Sequence, residues 1–376
     1  MKTQDFHFPI RWDEQTEDWY RLTARTKLFV GDHLRVLPAY RPEIVLSPGI
    51  QVLFAEPSVV HLTPPSPEGE ATLRIDYGQA YIGTAGIPGN RVHLHLGDRT
   101  STITFLEAAS EVAIEVRRWL SPGNHPERGE AVDVVRVFTR DGGIAWQDEE
   151  SAPAVEVQQG EMRIITNGRG ETMTAMEVPN WVYGEDLRDI DRAASITLNS
   201  LLVPERSIKL SLKEQLTDRR TEIRSLAASS LAYLGDFSAI VAELRDSRQR
   251  AHWSTHFDFL RQLMASSPET AVVIRETWEM LDPQIADQAY RLLYGYRDQD
   301  LSDGADQTLV DLLDHESLTL RVLAFENLRR ITGKSLFYMP HITEEQRRGS
   351  VRNWRERLAA GAIRYDSPPQ PHSTEW

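Results

Sequence analysis

Apolar residues recur in this chain at two different periods, and the change between them near residue 190 limits it to two kinds of folded part. From Thr26 to Trp181 the period is two. KLFVGDHLRVL, EIVLSPGIQVLFA, SVVHL, ATLRIDYG, RVHLHLG, EVAIEVRRWL and VDVVRVFTR are short β-branched runs bounded by Gly, Pro, Asn or Asp. About a dozen such strands bury their apolar faces only by closing on themselves or by stacking, which predicts an all-β sandwich or solenoid-like domain. Asp141-Gly142, between VVRVFTR and GIAWQ, predicts a tight hairpin turn, and Pro88-Gly89-Asn90 marks another. The polar interval from Ser121 to Glu130, with two prolines and two glycines, reads as a surface loop inserted between strands. The carboxylate-rich start, with Trp12, Trp19 and Tyr20, reads as a leader that docks through its aromatic residues.

From Ser207 onward the spacing is three and four. It is clearest between Leu309 and Leu358, where Leu320, Leu323, Ala324, Leu328 and Ile331 share one helical stripe and Gly333 ends it. Thr343 with Gln346 predicts a capping box for a second helix carrying Val351, Trp354 and Leu358. Leu216, Arg224, Leu226, Ala227 and Leu231 are echoed 97 positions later by Leu313, Arg321, Leu323, Ala324 and Leu328. The echo predicts stacked helical hairpins, as a short solenoid or an irregular bundle. The expected fold is therefore an α+β multidomain chain. A leader (1–25) precedes an all-β domain (26–186), a bridging helix (187–206), an all-α domain (207–362) and a disordered tail (363–376).

The chain has 376 residues and a formal charge of −14. Residues 1–200 hold 19 Lys+Arg against 30 Asp+Glu, net −11, and 201–376 hold 23 against 26, net −3. A nucleic-acid partner is not expected, since phosphate contacts need a basic footprint. With no cysteine there is neither a disulfide nor a thiolate metal site. No apolar run is long enough to span a bilayer and the start lacks a signal-peptide core, so membrane attachment is expected only through an anchor outside this sequence.

Two resemblances rest on these segments. Leu312 to His315, Arg321 to Ala324, Thr332 to Tyr338 and Trp354-Arg355 follow in the order of a helical module of bacterial repeat proteins, and the Arg-x-Leu-Ala core resembles HEAT-type repeats. That resemblance implies a binding or scaffolding surface. KLFVGDHLRV, SPGIQVLFAEPSVVHL, LRIDYGQAYI, EVAIEVRR, VVRVFTRDGGIAW and AVEVQQGEMRI resemble a FecR-like domain over about 27–166, which implies extracytoplasmic sensing in bacterial cell-surface signalling. Such proteins carry a cytoplasmic segment and one transmembrane helix before the β domain, and neither is in this sequence.

Residues that could carry chemistry are few. His93 and His95 lie two apart on a strand, a spacing used by metal sites, but no third ligand accompanies them. His252 and His256 share a helix face without the Glu of a zinc protease. Asp76, Asp98, Glu107 and Glu115 fall in or beside strands with no spacing that singles out an acid–base pair, and read as a solvated acidic face. No metal, cofactor or catalytic residue is expected. Trp146, Trp181 and Tyr183, with Trp119, could form an aromatic platform for a sugar or peptide, or plug cores and joints. Arg224 and Arg321 are expected to hold helix carboxylates or carbonyls, with Asp218 and Asp314 nearest. The function expected is non-enzymatic protein interaction in the periplasm or outside the cell, in signalling or scaffolding, with a carbohydrate-binding accessory module as the alternative.

Overall fold

A computed structural model describes residues 7–24, 26–55, 57–149, 152–174, 178–184, 187–367 and 369–370. The chain is α+β: an antiparallel β region precedes a helical one. It forms two compact units, one of Met1–Arg118 and Val132–Ser230, the other of Trp119–Ala131 and Leu231–Trp376. The division is not the one read from periodicity. It cuts α3 (Thr221–Tyr233) near its end and assigns the interval 119–131, between two strands, to the helical unit.

The strands are β1 (Ile10–Asp13), β2 (Asp18–Arg21), β3 (His33–Val36), β4 (Glu43–Leu46), β5 (Ile50–Phe54), β6 (Ser58–Leu62), β7 (Ala71–Thr84) and β8 (Arg91–Leu96). There follow β9 (Arg99–Phe105), β10 (Glu111–Trp119), β11 (Val132–Asp141), β12 (Gly143–Asp148), β13 (Val155–Gln158), β14 (Glu161–Thr166) and β15 (Arg169–Thr174). Strand β7 joins two lobes. Its first half pairs with β6 and, in parallel, with β8; its second half pairs with β5 and β10. The change of partners falls at Gly78, where φ is 119° and an added Cβ would stand 2.1 Å from Ser58 Oγ and 2.6 Å from the Pro57 carbonyl. Only glycine fits that close approach.

In the first lobe β2, β1, β3, β6, β7, β8, β9, β12 and β13 lie in that order. Alternation turns Leu34, Val60, Leu73, Leu94, Ile103 and Trp146 inward. In the second lobe, Tyr81, Ala113, Phe138, Met162 and Ile164 pack beneath a single 3₁₀ turn, Asn180–Tyr183, which contributes Trp181 and Val182. The Tyr81 hydroxyl donates to the Trp181 carbonyl.

Two expectations about this half need correction. Residues 10–21 are no leader: they form the β1–β2 hairpin, which pairs through β1 with β3 and buries Trp19. Residues 1–6 lie outside the described residues. Asp141-Gly142 is a sharp turn, with Gly142 at φ 60°, yet no hairpin, because β11 pairs with β14 and β12 with β9 and β13. The turn passes the chain between lobes. Pro88-Gly89-Asn90 likewise precedes a parallel pairing.

Helices α1 (Asp189–Leu201) and α2 (Ile208–Gln215) belong to the β unit, where Arg21 Nε donates to Asn199 Oδ1 at 3.0 Å. In the helical unit come α4 (Ser238–Glu243), α5 (Trp253–Ser266), α6 (Pro268–Leu281), α7 (Ala286–Leu293), the one-turn α8 (Asp298–Asp300), α9 (Asp306–Asp311), α10 (Leu318–Thr332) and α11 (Glu344–Ala359). Ser267 caps α6 ahead of Pro268, Thr343 and Gln346 form the expected capping box, and Gly333 ends α10 in the left-handed conformation. Helix α10 packs on α5, α7 and α9, so the unit is a bundle and not a line of neighbours. The first echoed segment straddles the division, with Arg224 on α3 in the β unit and Leu231 in the helical unit, whereas the second, with Arg321 on α10, lies wholly in the helical unit. The expected tail begins packed: Ile363 is buried, and the Tyr365 hydroxyl donates to the Tyr296 carbonyl at 3.1 Å.

Candidate functional site

Residues that point outward from the first lobe build a continuous polar face. Strand registers place His33 opposite His61, His61 opposite Arg74, Arg74 opposite His95, and His95 opposite Thr100, one row across five strands. A second row holds Thr72, His93, Thr102 and Gln147.

The rows are tied by short polar contacts. His33 and His61 stack with centroids 4.1 Å apart, and Trp19 meets His33 edge-on. His61 Nε2 lies 3.0 Å from Asp76 Oδ2, and Arg74 Nε donates to Asp76 Oδ1 at 2.7 Å. Nearby, Glu70 is held by Arg91 at 3.1 Å and by His93 Nε2 at 2.5 Å, while His93 Nδ1 meets Thr102 Oγ1 at 3.0 Å. Burial holds the His33 imidazole down to about 4, with the neighbouring His61 and Arg35 adding to the effect. Burial, then Arg74 and His93, lowers His95 as well.

The Glu70–His93–Thr102 chain has the connectivity of a nucleophile, a base and an orienting carboxylate. Thr102, however, is buried and its strand is paired on both sides, to β8 and to β12, so its hydroxyl serves to hold the imidazole. Among the described residues no group of three His, Asp or Glu is placed to hold a metal. His93 and His95 do share a face, as their spacing predicts. Their closeness to His61 and His33 depends on pairing between distant strands, which no local pattern reports.

The other sequence candidates resolve residue by residue. Trp146 is fully buried, with its indole N–H donating to Asp148 at 2.7 Å, and Trp181 is buried in the second-lobe core. Neither offers a ring to a ligand; of the four platform candidates Trp119 is half-buried and only Tyr183 is exposed. Glu115 is buried between Arg117 (2.7 Å) and Arg136 (3.2 Å) and accepts from Gln79 at 2.7 Å. Burial would raise its carboxyl, but the two guanidinium groups and the amide outweigh burial and hold it low. Asp76, by contrast, touches the polar rows, through His61 and Arg74. His252, at the N-terminal cap position of α5, and His256, on α5, are both buried.

Arg321 is a fastener. Its Nε donates to the Pro340 carbonyl at 2.8 Å and its NH1 to the carbonyls of His315 (2.6 Å) and Glu316 (2.7 Å). Carbonyls, and not Asp314, are its partners; Asp314 pairs with Arg355 at 2.8 Å and Asp218 with Arg220 at 2.9 Å. The Tyr338 hydroxyl donates to the Leu313 carbonyl at 2.6 Å. The loop so pinned carries Leu336 and Phe337 at φ 45° and 56°, a conformation costing side-chain-bearing residues about 1–2 kcal/mol each. Phe337 stands 91% exposed beside the half-exposed Met339. The sequence marks this segment only through its Thr-Gly-x-x-x-x-Tyr spacing.

No family model matches the chain, and no curated protein matches it. Two crystal structures of a candidate anti-sigma factor from Parabacteroides distasonis are similar to it at 12% identity and a TM-score of 0.27, over 38% of this chain and 59% of theirs. The matched region thus spans less than two thirds of that protein. A likeness of this size says nothing about what either chain binds.

Proposed function

We propose that the protein acts by binding other proteins at the bacterial envelope, as a scaffold or signalling component, and not by catalysis. The observation that supports this most is Phe337. A nearly fully exposed aromatic side chain on strained backbone, fixed by a buried hydrogen bond from Tyr338 and a partly buried one from Arg321, is a pre-organised apolar anchor of the kind that dominates protein interfaces. The extracytoplasmic setting rests on the FecR-like pattern of residues 27–166. A carbohydrate-binding role loses two of its expected carriers with Trp146 and Trp181 buried.

A photo-crosslinking residue placed at Phe337 in the full chain, expressed in its native host, tests this reading. One discrete protein adduct is expected, absent when the probe is moved to the exposed Val45 and diminished by Met339→Asp. Equal labelling at both positions would remove the support. So would turnover of a hydrolase substrate panel that a single carboxylate substitution abolishes.

A further inference from the structure

The first lobe ends in the edge strands β2 and β13, the second in β4 and β15. An open edge presents unpaired backbone N–H and C=O groups, so folded chains cover it, shorten it or flank it with proline. Three of the four edges are treated in these ways. Helix α2 packs on β2. Strands β4 and β13 have four residues each; β4 lies between Pro42 and Pro48, and Pro153 stands two residues before β13. Strand β15 is different: it has six residues with neither proline nor lysine, every one exposed, and among the described residues it pairs with β14 alone. Asn167 and Gly168, at φ 45° and 87°, form the two-residue turn that fixes its register. That turn closes on the hydrogen-bonded pair Thr166 and Arg169, so the backbone groups of Gly170, Thr172 and Thr174 face the open edge. Side chains alternate. Thr172 Oγ1 accepts from Arg163 at 3.1 Å on one face, and Arg169, Glu171 and Met173 share the other. Among the described residues neither the Arg169 nor the Glu171 side chain makes an ion pair or a hydrogen bond.

We propose that β15 is a dimer interface, at which a second copy of this chain adds its own β15 antiparallel across a two-fold axis at Gly170. The choice of occupant rests on charge. Opposite charges stand at 169 and 171, one on each side of Gly170 and on a single face, so the axis sets Arg169 of each copy against Glu171 of the other. Both are non-hydrogen-bonded pairs, the closer of the two kinds, while Gly170 meets Gly170 and their outward N–H and C=O groups exchange bonds. Other registers lose this match. An axis at Glu171 opposes two carboxylates, and an axis at Thr172 sets Glu171 against Met173 and leaves Arg169 opposite no residue of β15. A foreign strand would have to bring the same charge order by itself, whereas a second copy carries it. One pair of short strands buries little surface, so the association is weak and is read at high concentration. At about 0.15 M salt the screening length is about 8 Å, which suppresses the mutual repulsion of two copies of charge −14 more than it suppresses pairs in contact.

The inference is independent of Phe337 and is tested by sedimentation of the full chain at about 0.15 M salt. Wild type is expected to show a monomer–dimer equilibrium that shifts with concentration. Arg169→Glu and Glu171→Arg, each alone, turn both attractive pairs into repulsive ones and are expected to weaken the dimer about tenfold or more. Both positions are exposed, so the thermal midpoint of a dilute sample is expected to stay unchanged. An equimolar mixture of the two variants is expected to recover the dimer, since each then attracts the other, and so is a chain carrying both substitutions. Phe337→Ala is expected to dimerise as wild type does. The proposal is overturned by a wild-type chain that stays monomeric at every concentration reached, by a dimer indifferent to either single variant, by a mixture that remains monomeric, or by loss of the dimer in Phe337→Ala.

Discussion

Two buried titratable residues of the helical unit set opposite pH dependences. His256 is fully buried on α5, and burial, reinforced by His252, lowers it to about 3. The unfolded chain takes up a proton near the ordinary histidine value and the folded chain does not, so stability is lost as pH falls below about 6.5, by about 2 kcal/mol at pH 5. Urea titrations of His256→Gln should show a flatter decline between pH 7 and 4; an unchanged slope would clear His256 of the effect. Glu326, on α10, runs the other way. Burial raises it to about 7 despite Arg329 at 2.8 Å, so its contribution is present below pH 4.5 and lost as pH rises through 7. Glu326→Gln should gain about 3 kcal/mol over wild type at pH 8 and nothing at pH 4. Neither shift is legible in sequence. Both arise from burial, and HWSTH and AFENL differ from exposed helical segments only in what packs over them.

Elements were legible where a period was, and their pairing was not. RVHLHLG declares a half-buried strand, and its inward Val92, Leu94 and Leu96 follow directly. That the same strand runs parallel to β7 could not be read, because β7 changes partners midway at a glycine unremarkable in sequence. Gly78→Ala tests the hinge: its methyl group would meet Ser58 Oγ and two backbone atoms at φ 119°, a backbone region nearly closed to alanine. A loss of about 3 kcal/mol or more in denaturant unfolding is expected; a loss under about 1 kcal/mol would mean that β6 yields easily. The helix termini were the most legible features of all, since Thr343, Gln346 and Gly333 act within one turn of themselves. Arg321 was legible as a structural residue, but its carbonyl partners were not.

Across the whole molecule, periodicity separated strand from helix correctly but misplaced the units. Residues 121–130, within the interval 119–131, read as an ordinary surface loop because their composition is polar. That polarity is used inside the helical unit: Glu127 accepts from Arg275 (2.8 Å) and Tyr290 (2.9 Å), and the Gly123 N–H donates to the Tyr294 carbonyl at 2.8 Å. Arg275 and Tyr290 together hold the Glu127 carboxyl below its usual range against its modest burial. A fragment beginning at Leu231 lacks this interval, and its thermal midpoint should lie several degrees below that of the corresponding transition in the full chain. Adding a synthetic peptide of residues 119–131 should raise it. A fragment as stable as the full-chain transition would show that the interval is dispensable.

Glu127 also gives the molecule a schedule. Its partners Arg275 and Tyr290 follow it by 148 and 163 residues, so at a synthesis rate of about 5–20 residues per second it is made about 7 to 30 seconds before the first of them. Strands β11 to β15 emerge during that wait. Capture of this carboxylate therefore waits for α6 and α7, and a nascent chain stalled after β15 would carry a finished-looking sheet and an unclaimed carboxylate.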